Sequence, residues 1–128
     1  MRRFACLLLL LLLATACTVT GPPPHRIVVF FKEWSAAIDP PAAGAITQAA
    51  QWAKDHPADA IAVTGYADTT GSATANDYMS RTRAQVVADQ LVTDGIDRSR
   101  IVVGAQGATG FTMTSQESRR VEIAIGGR

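Results

Sequence analysis

The chain has 128 residues, of which 48% are hydrophobic and 18% are charged, and its formal net charge is +1 at neutral pH. This length and composition fit one globular domain and exclude an intrinsically disordered chain. The near-neutral charge provides no basic surface of the kind that binds nucleic acid, so we expect no nucleic-acid partner.

The first sixteen residues have the layout of a secretory signal. Arg2 and Arg3 precede an apolar run from Phe4 to Ala14, and small residues follow it. This run is shorter than the roughly 20 residues of a membrane span. We therefore expect residues 1–16 to be a signal peptide that is removed on export and takes no part in the fold.

The signal ends at residues 13–17, LATAC, which resemble a bacterial lipobox. The resemblance implies that Cys17 is acylated, for example with palmitate, and becomes the first residue of a membrane-anchored lipoprotein. Thr18 follows where sorting signals for the inner membrane have Asp, which implies anchoring in the outer membrane with the domain in the periplasm. Ala14 and Ala16 also suit ordinary signal peptidase, and this remains the alternative.

Residues 17–26 are predicted to be the lipidated N-terminus and its tether. Pro22, Pro23 and Pro24 favour a stiff, extended polyproline II segment. Nine residues from Thr18 onwards span at most about 30 Å at roughly 3.3 Å each. The folded domain, predicted as residues 27–128, should therefore lie close to its membrane.

The first half of the domain is predicted to contain two strands and a helix. Ile27 to Phe31 is a continuous apolar run, typical of a strand that is buried on both faces. Residues 39–41 supply a helix cap and prolines for a first turn, and the helix should end at His56 because a proline follows it. Its buried stripe is predicted to be Ile46, Ala49, Ala50 and Ala53. Ala60 to Tyr66 is the second strand, in which Gly65 allows a close approach.

A loop over residues 67–73 leads to the second predicted helix, which Thr74 or Asn76 should cap. Gly95 stands where a left-handed C-terminal cap belongs. The buried stripe of this helix is predicted to be Ala84, Val87, Ala88, Leu91 and Val92.

Two further strands are predicted, at residues 101–103 and 121–125, with a Gly/Thr/Ser-rich loop over residues 104–118 between them. The resulting order is β-α-β-α-β-β. It predicts an α+β fold: a two-layer sandwich in which one mixed four-stranded sheet carries both helices on one face.

A carboxylate and a guanidinium are candidates for a binding cleft. Asp68 follows the second strand, between Gly65 and Gly71, and crevices at the carboxyl end of a strand favour ligand binding. Arg83 lies beside the buried stripe of the second helix, which would hold its guanidinium near the sheet. Spacing alone nevertheless favours a turn role for Asp68 and a solvated helix role for Arg83.

A longer pattern begins in the same helix and reads Asn76-x-x-Met79-Ser80-x-x-Arg83-Ala84-x-x-Val87-x-x-x-Leu91. It resembles the peptidoglycan-association motif of the OmpA C-terminal and Pal-like family, with Met79 where Leu is usual. Residues 65–71 are similar to the family's glycine-flanked Thr-Asp turn, and residues 118–123 to its Asn-Arg-Arg-Val segment. The likeness extends over about residues 27–125.

This resemblance implies a module that holds peptidoglycan without covalent chemistry. In the family, the residues at the positions of Asp68 and Arg83 clamp diaminopimelate in the stem peptide. Diaminopimelate presents an ammonium and a carboxylate on one carbon, which an acid and a bidentate base match. Asn76 is implied to contact the ligand, with helix capping as the alternative. Arg119 or Arg120 is implied to line the same cleft.

Three residues depart from the family pattern. Lys32 stands where Asp is common, Ala67 replaces the Thr of the Thr-Asp pair, and Ser118 replaces Asn. These departures concern the detail of the cleft and its affinity, because Asp68 and Arg83 themselves are intact.

The alternative function is an accessory subunit of a trans-envelope complex that acts mainly through protein contacts, similar to Pal in the Tol system or to the wall-anchoring domains of motors and secretion systems. An enzyme is not expected, since the sequence has no Ser/His/Asp arrangement, and neither a metal nor another cofactor is implied. Trp34, in the loop after the first strand, is assigned to surface packing, with glycan contact as the alternative.

Overall fold

The computed structural model describes residues 21–108 and 115–127. Cys17 and the predicted signal peptide lie outside this part of the chain, as do residues 109–114 of the predicted loop. The elements are β1 (His25–Phe30), α1 (Pro40–Asp55), β2 (Ile61–Ala67), α2 (Ala73–Thr93), a 3₁₀ turn (Arg98–Arg100), β3 (Ile101–Ala108), α3 (Ser115–Ser118) and β4 (Arg120–Ile125).

The four strands form one mixed sheet in the order β1-β4-β2-β3. β4 is antiparallel to both β1 and β2, whereas β2 and β3 are parallel. His25 and Ile61 both lie opposite Ile125, so β1 and β2 start at one end of the sheet and finish at the other. We call the end where β1 starts the tether end, and the end where β1 and β2 finish the cleft end.

The hydrophobic core lies between the sheet and the two long helices, which confirms the predicted two-layer architecture. Both predicted stripes contribute to this core, except that Val92 is only half-buried. The buried helical residues in the core are Ala42, Ile46, Ala49, Ala50, Ala53, Ala84, Val87 and Leu91. Within the described residues, no helix is long and apolar enough to cross a lipid bilayer.

β1 differs from the strand predicted for residues 27–31. It starts at His25, inside the segment predicted to be the tether, and its burial alternates along the strand. The prediction of burial on both faces is wrong because β1 is an edge strand whose outer face is not covered by any of the described helices. Val28 and Phe30 are exposed on that face, while Val29 is buried against the helices.

The second helix starts earlier than predicted. Ser72, not Thr74 or Asn76, is its N-cap, and the Ser72 side chain accepts a hydrogen bond of 3.1 Å from the backbone N–H of Ala75. At the other end of the helix Gly95 has φ +100°, which confirms the predicted left-handed C-terminal position.

Replacing Ser72 by alanine is expected to destabilise the domain by about 1 kcal/mol, because the N–H of Ala75 loses its side-chain acceptor. Urea unfolding measures this free energy. Thr74→Ala is the matched control, since Thr74 is an exposed residue in the same turn. A larger loss from Thr74→Ala than from Ser72→Ala would contradict the assignment of the cap.

β3 is also longer than the predicted strand of residues 101–103. It continues to Ala108 because it stays paired with β2, with one irregularity in register next to Gly65 and Tyr66. Its small residues have a low preference for strands, so local sequence did not indicate the extension. β2 and β4 lie within one residue of their predicted bounds at each end.

Candidate functional site

Asp68 lies directly after β2, at the cleft end of the sheet. Its side chain is buried, and its Oδ1 accepts hydrogen bonds from the backbone N–H groups of Thr69 (2.6 Å) and Thr70 (3.4 Å). The carboxylate therefore organises its own loop, which is the turn role that spacing favoured. Its Oδ2 lies 3.5 Å from Nη1 of Arg119, so the same carboxylate also belongs to an ion pair.

Arg83 projects from α2 into the space between the helix and the loop that follows β1. Only 1% of the residue is exposed, so the solvated helix role is wrong. Its Nε donates to the carbonyl oxygen of Ser35 at 2.8 Å, and its Nη2 donates to that of Lys32 at 3.0 Å. The guanidinium also lies over the ring of Phe31, with Cζ 5.5 Å from the ring centroid. Arg83 thus holds the β1–α1 loop in place.

The loop that Arg83 holds contains a strained residue. Trp34 has φ +50°, a left-handed conformation that costs a residue with a side chain about 1–2 kcal/mol. Its indole lies against Gly71 of the β2–α2 loop, where an added Cβ would be 2.9 Å from the ring. The two hydrogen bonds from Arg83 stabilise the loop on both sides of Trp34. A strained backbone conformation persists only where surrounding contacts hold it in this way.

Asn76 and Arg119 complete the cluster. Asn76 is buried in the first turn of α2, and its Nδ2 donates to the carbonyl oxygen of Thr70 at 2.8 Å. Arg119 precedes β4, and its Nε donates to the carbonyl oxygen of Phe31 at 3.3 Å. Both residues therefore link neighbouring loops around Asp68.

Arg120 does not join this cluster. It stacks over the ring of Tyr66, with Cζ 3.9 Å from the ring centroid, and its Nε donates to Glu122. Of the two arginines that the sequence offered for the cleft, the structure places Arg119 there. Arg120 is buried on β4, a central strand of the sheet.

One narrow cleft joins these side chains at the cleft end of the sheet. Its volume is about 10 Å³, which is room for about one water molecule. The residues that line it are Glu33, Trp34, Asp68, Thr70, Asn76, Met79, Arg83 and Arg119. All four side chains predicted for the site therefore meet in one place.

Burial and neighbouring charges determine the electrostatics of the cleft. The pKa of the Arg83 guanidinium is lowered to about 10, chiefly by burial and also by the positive charge of Arg119, while the negative charge of Asp68 opposes the shift. Arg83 therefore stays protonated at neutral pH. Two arginines share the cleft with the carboxylates of Asp68 and Glu33, so the cleft presents groups of both signs to an ionic ligand.

A wider groove of about 540 Å³ runs between α2 and β3. Arg81, Gln85 and Val103 line it, and among the described residues that line it none carries a carboxylate. Across residues 21–108 and 115–127, no three residues of the metal-binding types lie close enough together to hold a metal ion. The cleft at Asp68 is therefore the better candidate site, although it is the smaller cavity.

Sequence reasoning missed two features of this cleft. Glu33 lies outside the motif, and Trp34 forms one wall although its sequence position predicts surface packing, with glycan contact as the alternative. The sequence indicates that Arg83 belongs to the cleft through its place beside the buried stripe of α2. No comparable signal exists for Trp34, because its position depends on a left-handed backbone and on hydrogen bonds from a residue 49 positions later.

The two-layer α+β fold, with a cleft of acidic and basic side chains at the carboxyl end of β2, characterises one class of protein. A comparison of the sequence with family models identifies this class. Residues 30–123 match the model of the OmpA family, and the chain therefore belongs to this family. The resemblance seen in the sequence is confirmed.

Individual relatives agree with this assignment. The probable lipoprotein YiaD of Escherichia coli K12 is 37% identical over 97 residues, which cover 71% of this chain and 44% of that protein. This chain thus spans less than half the length of the curated relative that it matches.

Solved structures share the fold. The peptidoglycan-associated lipoprotein from Burkholderia pseudomallei has a TM-score of 0.70 and 21% identity, over 77% of this chain and 89% of that chain. The periplasmic domain of Helicobacter pylori MotB has a TM-score of 0.70 and 19% identity, over 82% and 75%. At these identities the likeness concerns the fold alone.

Proposed function

We propose that this domain binds peptidoglycan non-covalently through the diaminopimelate residue of the stem peptide. The observation that carries the proposal is the convergence of Asp68, Arg83 and Arg119 on one cleft. Membership of the OmpA family and the printed name of the B. pseudomallei relative support peptidoglycan as the ligand.

The charges of the cleft suit the two groups on the side-chain end of diaminopimelate. We assign its ammonium to Asp68 and its carboxylate to the two arginines, since guanidinium groups bind carboxylates in a planar, bidentate manner. Asn76 keeps the loop beside Asp68 in position through its hydrogen bond to Thr70. Lysine lacks the second carboxylate, so a lysine-type stem would leave the arginines without an anionic partner.

The cleft has room for about one water molecule, so binding requires it to widen. We assign this movement to Trp34, because this residue lines the cleft, is 56% exposed and lies against Gly71 of the neighbouring loop. The other walls come from α2, from the loop after β2 and from Arg119 before β4, with Glu33 beside Trp34. The indole would then lie beside the ligand, where it could contact glycan.

We further propose that Cys17 is acylated and anchors the domain to the outer membrane, with the domain in the periplasm. The lipobox-like residues 13–17 and the lipoprotein relative in E. coli support this anchor. The chain enters the domain at the tether end and the cleft lies at the opposite end, about 20 Å away along a strand of six residues. An anchored domain in this orientation presents its cleft away from the membrane.

Asp68→Asn is expected to weaken binding to diaminopimelate-type sacculi about 30-fold, which corresponds to about 2 kcal/mol. The amide keeps the shape of the side chain and one oxygen acceptor for the loop, but loses the charge that pairs with the ammonium. Cosedimentation of the chain from Thr18 onwards with purified sacculi, over a range of protein concentrations, measures the affinity.

Asp77→Asn is the matched control, because Asp77 is an acid on α2, the helix that follows the Asp68 loop, and its partner is the exposed Arg81. Its binding should equal that of the original protein. Equal binding by the two variants would remove the role of Asp68. Undiminished binding to lysine-type sacculi would remove the diaminopimelate selectivity but leave wall binding in place.

A further inference from the structure

Three aromatic rings form a stack at the tether end of the domain. Trp52 lies between His25 and His56, with centroid separations of 3.9 and 4.3 Å and interplanar angles of 13° and 17°. The Nδ1–H of His56 also donates to the carbonyl oxygen of Trp52 at 2.8 Å. We call these three residues the tether-end stack. Its rings hold one another in a fixed position.

The tether-end stack is not part of the hydrophobic core. α1 buries Ala49, Ala50 and Ala53 towards the sheet, whereas Trp52 is 38% exposed on another side of the helix. The imidazole rings cover both faces of the indole, so its edge is what remains for solvent. A rigid tryptophan surrounded by polar rings is the kind of group that settles at a membrane–water interface.

The chain that leads to Cys17 leaves the domain beside this stack. Residues 21–24 and the stack line a common groove of about 720 Å³. Pro24 also lies close to Gly127, where an added Cβ would be 2.8 Å from the proline ring. Three residues lie between Cys17 and Gly21, so the two Cα atoms are at most about 14 Å apart. The tether-end stack is therefore on the surface that an acyl group on Cys17 would bring nearest to a bilayer.

We infer that the tether-end stack docks on the lipid headgroup region of the membrane that carries the anchor. This inference depends on the acylation of Cys17 that is part of the proposed function. Because the tether is short, the effective concentration of the stack at the bilayer is in the millimolar range. A contact that is too weak to bring an untethered protein to the membrane is then sufficient for docking.

The charges near the stack define the kind of lipid surface. Asp55 and Asp59 lie with the histidines and Arg26 along the same grooves, and the Arg100 guanidinium donates to the carbonyl oxygen of His56, so the described acids and arginines near the stack balance in sign. The indole edge, rather than an ion pair, is then the main contact. Docking should occur on neutral lipids and should change little with salt.

The two tryptophans provide an internal comparison, because Trp52 lies at the tether end and Trp34 at the cleft end. Trp34→Phe leaves Trp52 as the single tryptophan, and Trp52→Phe leaves Trp34. Each full mature protein is placed in neutral phosphatidylcholine vesicles that contain headgroup-nitroxide lipids. We expect Trp52 to lose about half of its emission, because a tryptophan at the headgroup level lies next to the nitroxides, and Trp34 to keep its emission.

Equal quenching of the two tryptophans, or no quenching of Trp52, would overturn docking. A requirement for anionic lipids would overturn it in favour of electrostatic attraction. The mass of the N-terminal peptide reports whether Cys17 is acylated. If Cys17 is not acylated, its thiol is coupled to a maleimide lipid. Docking is then still measured, although the proposed natural anchor is absent. Sacculus cosedimentation tests wall binding separately.

Discussion

Gly65→Ala is expected to destabilise the domain by about 3 kcal/mol or more, a large share of the stability of a small domain. A Cβ at this position would overlap the backbone carbonyl oxygen of Ser80 and lie 3.2 Å from the Cβ of Ala84. Neither atom is the end of a flexible side chain, so α2 must move away from β2. Urea unfolding of the purified protein measures the loss.

The control for this substitution is Gly104→Ala, on the neighbouring strand β3. An added Cβ at Gly104 meets nothing closer than Oγ1 of Thr64, at 4.0 Å. Its effect should stay within about 0.5 kcal/mol. Similar losses from both variants would show that general strand effects, and not the contact between α2 and β2, determine the cost.

Arg83→Ala is expected to cost about 3 kcal/mol, independently of any ligand. The substitution leaves the carbonyl oxygens of Lys32 and Ser35 without their donor and removes a large buried side chain. The loop that carries Trp34 then loses the contacts that stabilise its left-handed residue. Urea unfolding measures the free energy, and Trp34 emission in a Trp52→Phe background reports whether the loop opens.

Arg81→Ala is the matched control, since Arg81 lies two residues earlier on α2, is 69% exposed, and pairs with Asp77 within one helical turn. Such a pair contributes less than about 1 kcal/mol. If Arg83→Ala were as mild as Arg81→Ala and left the emission of Trp34 unchanged, the loop-holding role of Arg83 would be refuted. Loss of sacculus binding in Arg83→Ala would have two causes, the disturbed β1–α1 loop and the lost contact with the ligand. Asp68→Asn is therefore the variant that tests ligand binding.

The helices were predictable in detail because their periodicity is local. The spacing of alanine and branched residues predicted both buried stripes, and Gly95 marked the end of α2. The start of α2 was less certain, because Ser72, Thr74 and Asn76 are all good N-caps, and only the path of the preceding loop selects Ser72.

The strands were predicted less well because pairing, rather than composition, sets their ends. β3 extends through Gly104 and Gly107 since β2 provides a partner for that length. In the cleft, the motif indicated Asp68 and Arg83, but it did not indicate that Arg83 donates to two backbone carbonyls. Those acceptors depend on backbone conformation, which no residue type in the β1–α1 loop specifies.

The direction of the strands also has a mechanical consequence. A protein anchored through its N-terminus and holding the wall at the opposite end would be pulled along β1, away from the end of β2. β1 is joined to β4 by antiparallel pairing from His25 to Phe30. Tension along this axis loads those hydrogen bonds in shear, all together, instead of opening them one after another from an end. The geometry is suited to a link that must withstand force between two layers of the envelope.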